Sequence, residues 1–73
     1  ALLYLLNGVA HNNLNEPDQA IDQLEMGLSF LLDEPKLEND IYQQLALSYD
    51  LKGNTTKATK MRSKIKLLSN KSQ

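Results

Sequence analysis

The side chains best able to do chemistry in this sequence are one histidine and two pairs of carboxylates. His11 is the only histidine, and each carboxylate pair is spaced to share one face of a helix. The pairs are Asp22 with Glu25 and Glu34 with Glu38. A metal site needs further converging ligands, and the sequence has no cysteine and no second histidine. We therefore predict no enzyme activity, no metal and no cofactor, and we interpret His11 as a packed, hydrogen-bonded side chain.

Positive charge is concentrated at the end of the chain. Residues 1–50 contain all nine acidic residues and one basic residue, whereas residues 51–73 contain seven basic residues and no acid. The candidate basic face consists of Lys57, Lys60, Arg62, Lys64 and Lys66. It could contact phosphates, but no aromatic or amide side chains lie between the cations to read or stack bases. We predict no specific nucleic-acid binding and interpret this face as solvated surface. Weak, non-specific binding to nucleic acid or an anionic surface is a lesser alternative.

The clearest structural signal is a helix, a tight turn and a second helix between residues 41 and 58. Apolar residues at helical spacing mark one stripe of the first helix. Gly53 ends that helix, because glycine enters the left-handed conformation without a steric penalty. Asn54 supplies an oxygen that can cap the next helix, which carries Ala58 on its inner face. A hairpin of this kind cannot bury its own apolar face alone.

The same pattern occurs 38 residues earlier in the chain. The matched pairs are Tyr4 and Tyr42, Gly8 and Ala46, His11 and Tyr49, Asn15 and Gly53, and Ala20 and Ala58. The small residues allow paired helices to approach closely, and asparagine is a common non-glycine residue in left-handed turns. Self-similarity with a period of 20 to 50 residues is typical of stacked repeats.

We predict an all-α fold with four helices arranged as two stacked antiparallel hairpins. The predicted helices cover residues 1–14, Pro17 to about Leu32, Leu37 or Glu38 to Lys52, and Thr55 to about Leu68. Pro17 suits a first helical position, and Pro35 is expected to stop the second helix. The chain forms one domain over 1–73. Its predicted parts are repeat one over 1–35, repeat two over 37–69 and a polar tail over 69–73.

The two units resemble the tetratricopeptide repeat family, whose repeat is a helical hairpin of 34 residues. The first unit reads Tyr4-x2-Asn7-Gly8-x2-His11 and then Ala20-x3-Leu24, and the second reads Tyr42-x2-Leu45-Ala46-x2-Tyr49 and then Ala58-x3-Arg62. The resemblance covers nearly the whole chain and implies a segment of a right-handed solenoid. The departures are Asn7, His11, Arg62, the late Pro35 and the 38-residue spacing, whose four added residues equal about one helical turn.

The resemblance implies a non-catalytic protein–protein interaction or scaffold module. In this family the first helix of each hairpin lines a concave groove that holds a peptide. The matching groove positions are Leu2, Leu5, Val9, Asn12, Asp40, Gln43, Leu47 and Asp50. The branch of the family that clamps a peptide carboxylate does so with Lys, Arg and Asn on these faces, and this sequence has no Lys or Arg at the matching positions, which disfavours that branch. An apolar or basic peptide or protein segment is the expected partner.

The first helix is apolar nearly all round, and such a helix is normally buried on every side. Two hairpins cannot bury it fully, so the residues leave open an upstream repeat, a second copy or a ligand as its neighbour. Self-association as a homodimer is therefore the alternative function. Arg62 stands where an apolar residue would pack on a following repeat, which favours the C-terminal end of a longer repeat protein. The longest apolar runs are far short of the roughly 20 residues of a membrane span.

Overall fold

The computed structural model describes residues 1–65, and these form four α-helices and no strand. The helices are α1 (Leu2–Asn13), α2 (Pro17–Ser29), α3 (Pro35–Leu51) and α4 (Thr55–Ser63). α1 and α2 form the first hairpin, α3 and α4 form the second, and α3 packs against each of the other three helices. The two hairpins thereby share one apolar core. The predicted all-α fold with two stacked hairpins is confirmed.

The turns inside the two hairpins have the same backbone conformation. Asn15 and Gly53 both take left-handed backbone angles, with φ of 58° and 79°. In each turn the N–H of the following residue donates to the carbonyl five residues earlier in the chain, at 2.8 Å in both cases. These are the bonds of a Schellman helix end. The 38-residue repeat found in the sequence is therefore present in the hydrogen bonds of the backbone.

Two glycines permit the close helix packing that the sequence predicts. A Cβ atom on Gly8 would lie 2.4 Å from the side chain of Leu24, so a larger residue would force the helices of the first hairpin apart. A Cβ atom on Gly27 would lie 3.2 Å from both Ile41 and Tyr4. Gly8 thus sets the spacing within the first hairpin, and Gly27 also sets its distance from α3.

The second helix is shorter than predicted. It ends at Ser29 rather than near Leu32, and the N–H groups of Phe30 and Leu31 bond to carbonyls three residues back, at 3.2 and 3.3 Å. Asp33 then takes a left-handed conformation with φ of 54°. Residues 30–34 thus form the turn that connects α2 to α3.

The third helix begins earlier than predicted. Pro35, which we expected to stop α2, is the first residue of α3, ahead of the predicted start at Leu37 or Glu38. The first helical position suits proline, since the N–H group there has no partner within the helix. Glu34 before it is non-helical (φ −124°, ψ 76°), as a residue preceding proline generally is. The boundary between the hairpins therefore precedes Pro35, inside the predicted first repeat.

The fourth helix is also shorter than predicted. It ends at Ser63 rather than near Leu68, and Ala58 is its one fully buried residue within the described part of the chain. A helix end with little tertiary packing has little to stabilise further turns. Lys66, Leu68 and the predicted polar tail over 69–73 lie outside the described residues.

Candidate functional site

An open cleft of about 440 Å³ lies between the first turns of α1 and α3. It is lined by Leu2, Glu34, Pro35, Lys36, Leu37 and Asp40. One half of this set is apolar and the other half is charged, with two carboxylates and one ammonium group. The volume falls within the range of small-ligand sites in proteins, roughly 300–1,000 Å³. The cleft can therefore accept an apolar side chain together with a neighbouring polar group.

Two contacts fix the helix ends beside this cleft. Tyr4, one half-turn beyond Leu2, stacks on Phe30 with ring centroids 5.8 Å apart and an interplanar angle of 10°. On the side of α3, the early start of the helix at Pro35 brings Leu37 into the first turn, where it packs against the core. The cleft is thus built on helix ends rather than on a free loop.

The charged rim of the cleft has an excess of negative charge. Lys36 Nζ lies 3.9 Å from Asp40 Oδ2, one helical turn away, and the lysine side chain is largely exposed. An exposed pair at this distance is weak and exchanges readily with water or another ion. Glu34 adds a second, exposed carboxylate. The rim therefore favours a cation beside the apolar floor.

Five of the eight predicted groove residues, all of them exposed or half-buried, fall into three groups. Leu2 and Asp40 line the cleft. Val9 is half-buried and packs against the core, whereas Gln43 and Leu47 are exposed on α3 outside the cleft. The cleft thus takes in the start of the predicted groove, and sequence reasoning missed its other residues because it placed the start of α3 after Pro35.

The assignment of Leu5 and Asn12 to an open groove is wrong, since they are only 8% and 6% exposed. Leu5 belongs to the core. The Asn12 amide donates to the backbone and side-chain carbonyls of Gln44, at 3.1 and 3.0 Å, and its oxygen accepts from the Ser48 hydroxyl at 2.7 Å. α3 therefore covers the part of α1 that we expected to face a ligand.

The Asn12–Ser48 bond is a buried polar link between the hairpins that the sequence analysis missed. Both residues lie on the inward stripes of their helices, among apolar neighbours. A polar residue in such a stripe is the signal that could have revealed the link, because a buried polar group needs a partner. Within residues 1–65, no buried side-chain nitrogen or oxygen lacks one.

Two basic residues form ion pairs that tie the helices together. Arg62, on the predicted basic face, donates to Asp50, which we had assigned to the groove. Lys52 at the end of α3 donates to Asp18 near the start of α2 at 2.5 Å. In each pair the hydrogen bond to the carboxylate raises the pKa of the basic group. Asp50 is thus engaged in an ion pair within the second hairpin.

Two further cations of the basic face lie against tyrosine rings. Lys57 Nζ is 5.5 Å from the ring centroid of Tyr49, and Lys64 Nζ is 6.0 Å from that of Tyr42. Lys60 is exposed. The face therefore contributes cation–π contacts between α4 and α3 in addition to its surface charge.

The histidine has the packed, hydrogen-bonded environment that we expected. His11 is half-buried, and its Nδ1 lies 2.8 Å from Glu16 Oε1 across the first turn. Because an ionised carboxylate only accepts, Nδ1 carries the shared proton. Among residues 1–65 there is no group of three or more His, Asp or Glu residues that could hold a metal ion. The same stretch contains no helix that is long and apolar enough to cross a membrane.

The lining residues of the cleft contribute two carboxylates and one amine and include no hydroxyl or thiol side chain. In comparisons with known proteins, no family model, no curated protein and no solved structure matches this chain.

Proposed function

We propose that this chain is a non-catalytic protein-binding module that holds an apolar, basic peptide segment in the cleft between α1 and α3. The observation that carries the proposal is the cleft itself, with its apolar floor and acidic rim. In it, a leucine-like side chain would lie between Leu2 and Leu37. A neighbouring lysine or arginine of the peptide would approach Glu34 and Asp40.

The hairpin repeat supports a tetratricopeptide-like type of module. Both turns close with the same hydrogen bonds, and small residues occur at equivalent positions in the paired helices. α1 and α3 are the first helices of their hairpins, and the cleft lies between them, as a peptide groove of that family would. The right-handed solenoid twist of the family belongs to the same proposal.

Binding at this cleft should be weak and fast. One apolar anchor contributes about 1.5–3 kcal/mol when fully buried, and exposed ion pairs add little. Association also costs translational and rotational freedom. We therefore expect dissociation constants of about 1 mM or weaker for short peptides.

The proposal is tested by titrating ¹⁵N-labelled protein with two end-blocked model peptides. One peptide alternates leucine with lysine, and the other alternates leucine with glutamate. We expect the lysine peptide to shift the amide resonances of Leu2, Lys36, Leu37 and Asp40, and the glutamate peptide to leave them unchanged. Shifts confined to α4, or equal shifts with both peptides, contradict the proposal.

Matched variants separate specific binding from general charge attraction. Glu34→Gln combined with Asp40→Asn should abolish the preference for the lysine peptide. Asp22→Asn combined with Glu25→Gln changes the net charge by the same amount, but on the exposed face of α2. This control should keep the preference for the lysine peptide. If the two double variants weaken binding equally, the cleft is not the binding site.

Self-association is the second candidate, because Leu2, Leu3 and Leu6 are all more than half exposed on α1. Light scattering on a sizing column at low and high salt distinguishes it from the first. A salt-resistant dimer that Leu6→Glu disrupts supports self-association, and a monomer supports the free cleft. Leu5→Glu is unsuitable for this test, because Leu5 is buried in the core and its substitution would unfold the chain.

A further inference from the structure

The outward face of α1 is apolar and exposed. It consists of Leu3, Leu6 and Ala10, which are spaced to lie on one side of the helix, opposite the core. We infer that this face binds a helical hairpin, which packs on α1 as the first hairpin of this chain packs on α3. The inference concerns a surface outside the cleft and does not rest on peptide binding there.

The argument depends on the interface that the chain already contains. Thirty-eight residues after Leu3 stands Ile41, which is 0% exposed where Leu3 is 67% exposed. Ala10 is exposed, whereas its equivalent, Ser48, is fully buried. The first hairpin covers these positions of α3, since Ile41 lies against Gly27 and Ser48 is bonded to Asn12. The outward face of α1 is thus equivalent in position to a face that binds a hairpin.

The opposite end of the stack explains why a head-to-tail second copy does not fit. A following hairpin would contact the positions of the second hairpin equivalent to Leu5, Asn12 and Leu24, which are all buried in the first hairpin. Those equivalents are Gln43, Asp50 and Arg62, which are exposed, and the last two form an ion pair. Covering them would remove charges from water at a large cost. The occupant of the α1 face must therefore present a surface like that of the first hairpin.

The existing interface also fixes the chemistry of the occupant. Ile41 approaches so closely that a Cβ atom on Gly27 would lie 3.2 Å from its Cδ1. The occupant should therefore have glycine or alanine opposite Leu3. Ala10 lacks the hydroxyl that Ser48 donates to Asn12, so an apolar residue suits the occupant opposite Ala10. A hairpin with these two features is the kind of partner that the face fits.

The test uses an extended chain in which residues 1–38 are placed a second time ahead of the complete chain. This preserves the spacing, so that Leu3 of the complete chain takes the place of Ile41 and meets Gly27 of the added hairpin. The chain has no native cysteine, so Leu3→Cys in the complete part provides a single thiol. Its rate of maleimide labelling is compared in the natural and extended chains. Leu14→Cys, in the exposed turn, is the matched control.

We expect Leu3→Cys to be labelled at least about tenfold more slowly in the extended chain, and Leu14→Cys at the same rate in both. Circular dichroism should show the helix content of the added hairpin, and light scattering should show a monomer. Equal labelling of Leu3→Cys in both chains overturns the inference, and so does an added hairpin that stays unfolded. Protection of Leu3→Cys in a dimer of the natural chain also overturns it, since a second copy would then be the occupant.

Discussion

The two hairpins have internal turns of the same conformation, but their outward faces differ. On the first hairpin, the outward face of α1 carries Leu3, Leu6 and Ala10, all exposed. On the second hairpin, the outward surface carries Gln43, Leu47 and the ion pair of Asp50 with Arg62. One end of the stack is therefore wholly apolar, whereas the other is mostly polar with one exposed leucine.

This difference shows that the residues that form a hairpin are distinct from the residues that decide which surface packs against it. The turn residues and the small residues at the helix contacts recur in both units, and they produce the same local structure. Leu24 and Arg62 hold equivalent positions, yet the first is fully buried in the core and the second is exposed. The identity of the residue at such positions, rather than the backbone, sets whether a further hairpin can pack there.

The largest expected effect contrasts Ile41 with Leu3. Ile41→Ala should lower the free energy of unfolding by about 2–5 kcal/mol, because it leaves a cavity in the core. Leu3→Ala should change it by no more than about 0.5 kcal/mol, since the side chain is exposed. Urea unfolding followed by far-UV circular dichroism measures both.

A chain of this size can unfold entirely after a loss of that magnitude. Ile41→Val is therefore the milder companion, with an expected loss of about 0.5–1.5 kcal/mol. If Leu3→Ala destabilises the natural chain as much as Ile41→Ala does, the outward face of α1 is already covered in solution and the two ends do not differ as described.

The next effect contrasts Asn12 with its equivalent, Asp50. Asn12→Ala should cost about 1–3 kcal/mol, because it removes the buried hydrogen bonds that link Asn12 to Gln44 and Ser48 of α3. Asp50→Ala should cost clearly less, since its ion pair is exposed. A double-mutant cycle of Asn12→Ala with Ser48→Ala should show a coupling of at least about 0.5 kcal/mol. Strictly additive effects of these two substitutions would show that the hydrogen bond does not link the hairpins.

The turns provide a smaller and more symmetric test. Asn15→Ala and Gly53→Ala should each cost about 1–2 kcal/mol, because a Cβ-bearing residue without a local hydrogen bond is disfavoured at positive φ. Asn15→Gly should be neutral or slightly stabilising. Thermal unfolding of the three variants measures the effect. If the difference between Asn15→Gly and Asn15→Ala departs from the cost of Gly53→Ala, the turns are not equivalent in energy.

The sequence was sufficient for the turns because their chemistry is local. Gly53 and Asn15 could be assigned to left-handed positions without knowing what packs on them, and Ala20 and Ala58 marked the helix contacts. Pro35 could not be assigned in the same way, since proline is tolerated both after a helix and at its first position. In the structure Pro35 begins α3, and Leu37, in the first turn of that helix, packs on the core. This tertiary contact cannot be read from the residues around Pro35.

The groove was predicted only in part for a related reason. Helical periodicity separates the inward from the outward side of one helix, but it does not say which neighbour covers which part of the inward side. Asn12 bonds to α3 and Leu5 lies in the core that the hairpins share, and both positions follow from the stacking of the hairpins. Leu2 is exposed and lines the cleft.

The smallest expected effect is on the pH dependence of the free energy of unfolding, and it is tested at the equivalent residues His11 and Tyr49. Tyr49 is 8% exposed, and burial, with a smaller effect from Glu25, raises the pKa of its hydroxyl above the usual value of 10.0. The folded state therefore holds this proton more tightly than the unfolded state does. The resulting stabilisation is complete below about pH 10 and is lost as the pH rises through the raised pKa.

Tyr49→Phe should accordingly flatten the decline of the free energy of unfolding, measured by urea titration between about pH 9 and 11, by less than about 1.4 kcal/mol per pH unit. Part of the decline should persist, because burial also raises the pKa of Tyr42, and the bond to Asp18 raises that of Lys52. His11→Phe is the matched control and should leave the slope in this range unchanged. An equal slope in the parent chain and in Tyr49→Phe would mean that the Tyr49 hydroxyl is as well solvated in the folded chain as in the unfolded one. The second hairpin would then be no more buried at this position than the first.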